Sequence, residues 1–208
     1  MNSFVARVRR RLGSLRRQSP IEAVMCVQGS VTEEEADELM RLASGVPADA
    51  CIVEVGSHRG RSTAALALGA QGAPVYAIEP HERFQGIYGS TFGPEDRKAF
   101  FENMLRLGLV EDVRLVNLSS EVVSKGWSRP IGLLWLDGDH TVEGVRRDFE
   151  AWEPFLEPGG VVAFHDALDP VGGPAGVIED LLADSFEHVA TAGRLIALRR
   201  AAAPDRKS

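Results

Sequence analysis

Two short stretches carry residue types that chemistry can use. The first is Glu54-Val55-Gly56-Ser57-His58-Arg59-Gly60-Arg61-Ser62, where an apolar run ends in an acid and a Gly-x-x-x-Gly loop before an alanine-rich helical stretch. Its glycines let the backbone turn tightly beneath a ligand, and a helix opening at Ser62 aims its N-terminal amides into the same space. The second is Leu136-Asp137-Gly138-Asp139-His140, where an apolar run ends in two carboxylates and an imidazole. Carboxylates can hold a cation or a hydroxyl group, and imidazole is the side chain that exchanges protons most readily near neutrality. Glu79 ends the run Val75-Tyr76-Ala77-Ile78, about 20 residues beyond the loop, where an acid can grip both hydroxyls of a ribose. A nicotinamide-binding loop would read Gly-x-Gly-x-x-Gly, but position 58 is His. If the strands adjoin, ligand and proton acceptor share one cleft.

The elements that must position these groups alternate along the chain. Thr32-Glu33-Glu34-Glu35 reads as a capping box, with Ala36, Leu39, Met40 and Ala43 at helical spacing behind it. Strands are predicted over Cys51–Val55, Val75–Ile78, Val113–Val116, Ile131–Leu136 and Gly160–Phe164. Helices are predicted from Ser62, over Arg97–Leu107, from Thr141 towards Trp152, and near Val177–Leu182. Continuously apolar strands alternating with helices imply a parallel sheet covered on both faces. Val189–Thr191 and Leu195–Arg199, joined by Ala192-Gly193-Arg194, read instead as a closing antiparallel hairpin. The fold expected is therefore α/β, a doubly wound, mostly parallel seven-stranded sheet with that C-terminal hairpin. Pro80–Glu95 has aromatics and glycines without periodicity and reads as a loop, either a plain surface loop or a cover for a substrate. Trp135, Trp152 and Phe155 read as core.

The chain has 208 residues, 44% hydrophobic and 25% charged, with a net charge of -7. That length carries one α/β domain, and the acidic balance argues against nucleic acid as a partner. No apolar run reaches the length of a transmembrane segment. Cys26 and Cys51 form neither a metal-ligand pattern nor a disulfide framework, which fits a cytoplasmic protein. Residues 1–20 hold Arg7, Arg9, Arg10, Arg11, Arg16 and Arg17 and no acid, a basic arm or helix for a partner subunit or an anionic surface, or a solvated tail. Residues 21–200 form the domain, and 201–208 a flexible tail.

Taken together, Glu54–Gly60, Glu79, Leu136–His140 and Pro158–Asp166 resemble the motifs of class I S-adenosylmethionine-dependent methyltransferases. More narrowly, they are similar to the small metal-dependent O-methyltransferases related to catechol and caffeoyl-CoA enzymes and to sugar methyltransferases. The resemblance covers about residues 24–200 and implies a Rossmann-like fold. It places Glu54, Gly56, Ser57, Gly60 and Ser62 around the methionine part of S-adenosylmethionine, Glu79 at the ribose, and Ser119 or Ser120 near the adenine. It assigns a Mg²⁺ or other divalent cation to Asp137, His165 and Asp166, with His165 standing where the best-known members carry an Asp. His140 and Asp139 are both candidates for the general base. The activity implied is methyl transfer to a hydroxyl of a sugar or glycosylated acceptor. A catechol-type phenol, or a cofactor-binding module without catalysis, is the alternative, and association with a second copy stays open.

Overall fold

The computed structural model describes residues 19–86, 89–168 and 173–201. The first half contains α1 (Pro20–Met25), α2 (Glu33–Ser44), β1 (Cys51–Val55), α3 (Arg61–Gly69), β2 (Val75–Ile78), β3 (Phe84–Gln85), β4 (Thr91–Phe92) and α4 (Pro94–Leu107). The second half contains β5 (Val113–Val116), α5 (Ser120–Ser124), β6 (Ile131–Leu136), α6 (Val142–Trp152), β7 (Leu156–Phe164), α7 (Ala175–Ala183), β8 (Phe186–Ala192) and β9 (Leu195–Arg200). The basic arm and the flexible tail lie outside the described residues, apart from Ser19, Pro20 and Ala201.

Seven strands form one sheet in the order β5-β2-β1-β6-β7-β9-β8. β1 pairs in parallel with β2 on one side and β6 on the other, so the order reverses between them. β9 runs antiparallel to both β7 and β8 and closes the edge. This is the doubly wound seven-stranded architecture with a C-terminal antiparallel hairpin that the apolar pattern predicts.

Side-chain alternation divides the core into two layers. Ile52, Leu133 and Trp135 face one way and pack with Leu39 of α2, Leu66 of α3 and Phe100 and Met104 of α4. Val53, Val55, Leu134 and Leu136 face the other way and pack with Phe149 and Trp152 of α6 and Ile178 of α7. Trp135 and Trp152 are fully buried, as core residues should be.

The structure departs from sequence expectation at several boundaries. Pro80–Glu95 is not wholly a loop: β3 and β4 pair as a two-stranded ribbon, and α4 starts at Pro94, where Asp96 Oδ2 accepts the Gly93 N–H at 2.8 Å. Tyr88, one of the aromatics noted there, lies outside the described residues. β7 begins at Leu156 because Pro158 and Gly159 are carried within it. α1, capped reciprocally by Ser19 and Glu22, had only the Ser-Pro-x-Glu signature to announce it.

Candidate active site

The carboxyl ends of β1, β2 and β6 open on one side of the sheet, and a cavity of about 560 Å³ lies there. In an open α/β sheet the crevice where strand order reverses is the place for a ligand. Short backbone bonds hold the strand ends together: Gly56 N–H donates to Ile78 O (3.0 Å), Asp137 N–H to Val55 O (2.9 Å) and His165 N–H to Leu136 O (3.0 Å). Gly56 has φ 87°, and a Cβ there would lie 2.4 Å from Asp137 O, so only glycine lets the two strand ends approach.

Gly56, Ser57, Ser62, Glu79, Ser119 and Ser120 line the cavity. Gly60 and Glu54 stand behind that lining. Gly60 starts α3 at φ 89°, and a Cβ there would meet Met104 Cε at 2.8 Å, so its smallness serves the packing of α4. Glu54 is fully buried; Thr63 Oγ1 donates to its Oε2 at 2.5 Å, while Oε1 finds no hydrogen-bond partner among the described residues. Burial pushes the Glu54 carboxyl up to about 8 against the Thr63 hydrogen bond. Ser57 Oγ is likewise buried without a partner. Glu79 accepts the His58 N–H at 3.1 Å and the His81 N–H at 3.0 Å. Both donors sit at positive φ, 45° for His58 and 51° for His81, and such strain in non-glycine residues gathers at functional sites. Ser120 Oγ accepts Trp152 Nε1–H at 2.8 Å, so its hydroxyl also ties α5 to α6.

At the other end of the cavity lie Asp137, Asp139, His140, Asp166 and Arg194. Asp139 is engaged in starting α6: its Oδ1 accepts the Thr141 N–H at 2.9 Å, and its Oδ2 lies 3.4 Å from Arg147 Nη2. His140 Nδ1 lies 3.3 Å from Asp166 Oδ2, and its Nε2 lies 3.9 Å from Asp137 Oδ1. Asp166, at φ 49°, bonds Arg194 Nη1 through Oδ1.

The residues assigned to a divalent cation come together, but among the described residues they are not arranged as a metal site. His165 is 1% exposed, with Nδ1 2.8 Å from Asp137 Oδ1 and Nε2 3.6 Å from Glu35 Oε2. Neither nitrogen makes an aligned hydrogen bond, so these contacts act as charge pairs. Burial opposes the charge on His165, yet the charges of Asp137 and Asp166 and its contact with Glu35 outweigh it and push the ring up to about 10. With Asp166 also bonded to Arg194, no group of three or more His, Cys, Asp or Glu side chains among the described residues is arranged to hold a metal ion. In this arrangement the His165 ring is a member of an ion-pair chain with Asp137 and Glu35.

Several residues escaped the sequence reading. Glu35 is 0% exposed and does more than close its capping box: besides the Thr32 N–H (2.7 Å) it accepts the Arg194 N–H (2.7 Å). His81 Nε2–H donates to His58 O at 2.8 Å while Nδ1 accepts from Asn117 Nδ2 at 3.2 Å, fixing the loop beside Glu79. Arg59 Nε donates to Asp96 Oδ1 at 2.7 Å, tying the first loop to α4. Arg61 reaches the carbonyls of Val27 (2.6 Å) and Val31 (2.8 Å) and draws Gln28–Val31 against the cavity. The one legible signal was the Arg59-Gly60-Arg61 triplet, whose charges lie where a ligand loop needs fixing.

Residues 53–167 match a family model described as a methyltransferase domain. The uncharacterized protein y4gI of Sinorhizobium fredii is 32% identical over 126 residues, 55% of this chain and 13% of that protein. The chain thus spans about 13% of the length of this curated relative. A crystal structure of a Corynebacterium glutamicum protein matches with a TM-score of 0.69 at 13% identity, covering 91% of this chain and 93% of that one. An O-methyltransferase from Bacillus cereus, solved in complex with SAH, matches with a TM-score of 0.64 at 18% identity, covering 88% and 91% of the two chains. Both structural likenesses speak for the fold.

Proposed function

The chain belongs to the methyltransferase-domain family that its residues 53–167 match, and from that premise we propose that it methylates a hydroxyl oxygen with S-adenosylmethionine, His140 taking up the proton. The observation that carries this reading is a single cavity at the switch point, lined at one end by Ser57 and Glu79 and at the other by Asp137, His140 and Asp166.

The cofactor end fits the amino-acid and ribose parts of the molecule. Buried atoms without partners, Glu54 Oε1 and Ser57 Oγ, are groups that a ligand's ammonium and carboxylate would satisfy. Glu79 retains lone pairs beyond its two backbone donors and would hold the ribose hydroxyls. Ser119 and Ser120 flank the space for the adenine. When bound, S-adenosylmethionine supplies a methyl group activated by its sulfonium. The B. cereus enzyme, solved with SAH, adds support.

At the acceptor end, the Asp166 carboxylate beside His140 Nδ1 favours the tautomer protonated there, in which Nε2 is the accepting nitrogen. As the hydroxyl oxygen attacks, its proton passes to Nε2, because a neutral alcohol is too weak a nucleophile and a free alkoxide too rare at neutral pH. Asp139, occupied with the start of α6, is the second candidate. No step is assigned to a divalent cation, since Asp166 is already bonded to the Arg194 guanidinium. Charged donors and acceptors along this wall, Asp139, Arg147, Asp166 and Arg194, favour a polyhydroxylated acceptor such as a sugar. A phenolic acceptor is the second reading. It is favoured by Phe84, 55% exposed at the cavity and 5.9 Å from Phe92 between ring centroids.

Methyl-transfer assays over a panel of sugars and catechols test this directly. His140→Gln should lose about 10²–10⁴-fold in turnover while binding S-adenosylmethionine normally. If activity and its pH profile survive in His140→Gln and vanish in Asp139→Asn, Asp139 is the base. Calorimetry that finds NAD bound and S-adenosylmethionine refused would overturn the reading.

A further inference from the structure

Arg194 occupies the turn between β8 and β9, whose strand bonds press it against the acceptor end of the cavity. Its backbone N–H donates to Glu35 Oε1 at 2.7 Å and its Nε lies 3.8 Å from the same oxygen. Its Nη1 bonds Asp166 Oδ1, and its Nη2 donates to Ser30 O at 3.3 Å. The preceding Gly193 has φ 54°, and a Cβ there would lie 2.9 Å from Glu35 Oε1, so the turn is seated directly on that carboxylate. Glu35 and Asp166 are 0% and 3% exposed, whereas the Arg194 side chain keeps 44% of its surface and lines the cavity. The guanidinium is anchored on two buried carboxylates and the Ser30 carbonyl, while its side chain lines the ligand cavity.

We propose that Arg194 is a catalytic residue that supplies, as a fixed guanidinium, the positive charge at the acceptor oxygen, and that methyl transfer therefore needs no divalent cation. The inference rests on the reading of the site as a hydroxyl methyltransferase. A guanidinium stays charged at every relevant pH and carries five N–H donors in a rigid fork, more than its carboxylate contacts consume. Donors fixed before reaction stabilise negative charge as it develops on the oxygen without reorganising. A divalent ion seeking Asp166 would have to displace this arginine from a buried carboxylate and then sit beside its charge. The balance is complete without one: the acceptor O–H bond breaks and its proton goes to His140, the oxygen bonds the methyl carbon as the carbon–sulfonium bond breaks, the sulfur keeps that electron pair and leaves as the neutral thioether S-adenosylhomocysteine, and nothing is oxidised or reduced.

Titrating the wild-type chain with Mn²⁺, followed by electron paramagnetic resonance, needs neither a known acceptor nor a variant. No stoichiometric binding at millimolar Mn²⁺ is expected. On the acceptor identified by the panel, turnover should be the same with chelator and with Mg²⁺. Arg194→Gln should lose about 10²-fold or more in turnover with unchanged S-adenosylmethionine affinity, and Arg194→Lys should recover part of it. Arg194→Gln should also gain Mn²⁺ binding at the uncovered carboxylates. One tightly bound Mn²⁺ per wild-type chain, or turnover abolished by chelator, overturns the proposal. Turnover untouched in Arg194→Gln overturns it as well. Failure of every acceptor in the panel would count against the functional reading, and the Mn²⁺ titration would still decide the cation question.

Discussion

Under the proposed function, Glu54 is the buried group that would couple ligand binding to protons. Burial pushes its carboxyl up to about 8, with Asp137 and Glu79 adding charge repulsion, so the folded protein holds a proton there that the unfolded chain releases near 4.5. The sign follows: the folded state binds the extra proton, so stability falls as pH rises from about 4.5 to about 8. A cation placed at the unpartnered Oε1 reverses the preference and favours the carboxylate. At pH 7, S-adenosylmethionine should therefore displace most of one proton per chain, read by calorimetry in buffers of different ionisation enthalpy. Glu54→Gln should abolish that release, and an unchanged release in the variant would mean the proton comes from elsewhere. The position of Glu54 before Gly56 was legible in the sequence, but its protonation was not, because that depends on Thr63, Asp137 and Glu79 closing over it. Glu35 was hidden differently: the capping box accounted for its presence, and nothing local announced that its second oxygen serves Arg194, which is remote in sequence.

Among elements, the chain Glu35–His165–Asp137 joins α2 to the ends of β7 and β6, and Arg194 adds the β8–β9 turn. Burial would raise the Glu35 carboxyl, but His165 and the N–H groups of Thr32 and Arg194 hold it down to about 2. Its stabilisation is present above 4.5 and is lost as pH falls towards 2. His165, pushed up to about 10, acts in the opposite direction: its stabilisation is full below 6.5 and is lost as pH rises through 10. Both contributions are intact only between about 4.5 and 6.5. Glu35→Gln leaves a buried imidazolium with one counter-charge fewer and should cost about 3–5 kcal/mol by urea unfolding near pH 6. The penalty should shrink as pH rises towards 10, and a pH-independent penalty would show that packing alone is lost. The strands and most helices were legible because their periods are local. The β3–β4 ribbon was not, being two residues per strand and held by aromatic contacts, among them Phe92 against His58 at 5.0 Å.

For the molecule as a whole, function rests on topology: β1 and β6, remote in sequence, are neighbours, and the order reverses between them. The alternation of elements made a parallel sheet legible, but the four hydrogen-bonded strand ends that bring Asp137 beside Gly56 and His165 beside Asp137 come from register, which no short motif records. Glu79 tests that geometry from the ligand's side. Its two oxygens hold the His58 and His81 amides, so Glu79→Ala removes both the proposed ribose acceptor and the brace of the first loop. Each charged hydrogen bond lost should weaken S-adenosylmethionine binding by about 1.5–3 kcal/mol. Ligand at about 100 times its dissociation constant stabilises a folded protein by about 2.7 kcal/mol, so the variant should lose most of the thermal shift the wild type shows at the same ligand concentration. Glu79→Gln keeps an acceptor for one amide and should fall between the two. Equal affinity in Glu79→Ala and wild type, measured by calorimetry, would place the cofactor elsewhere than at the switch point.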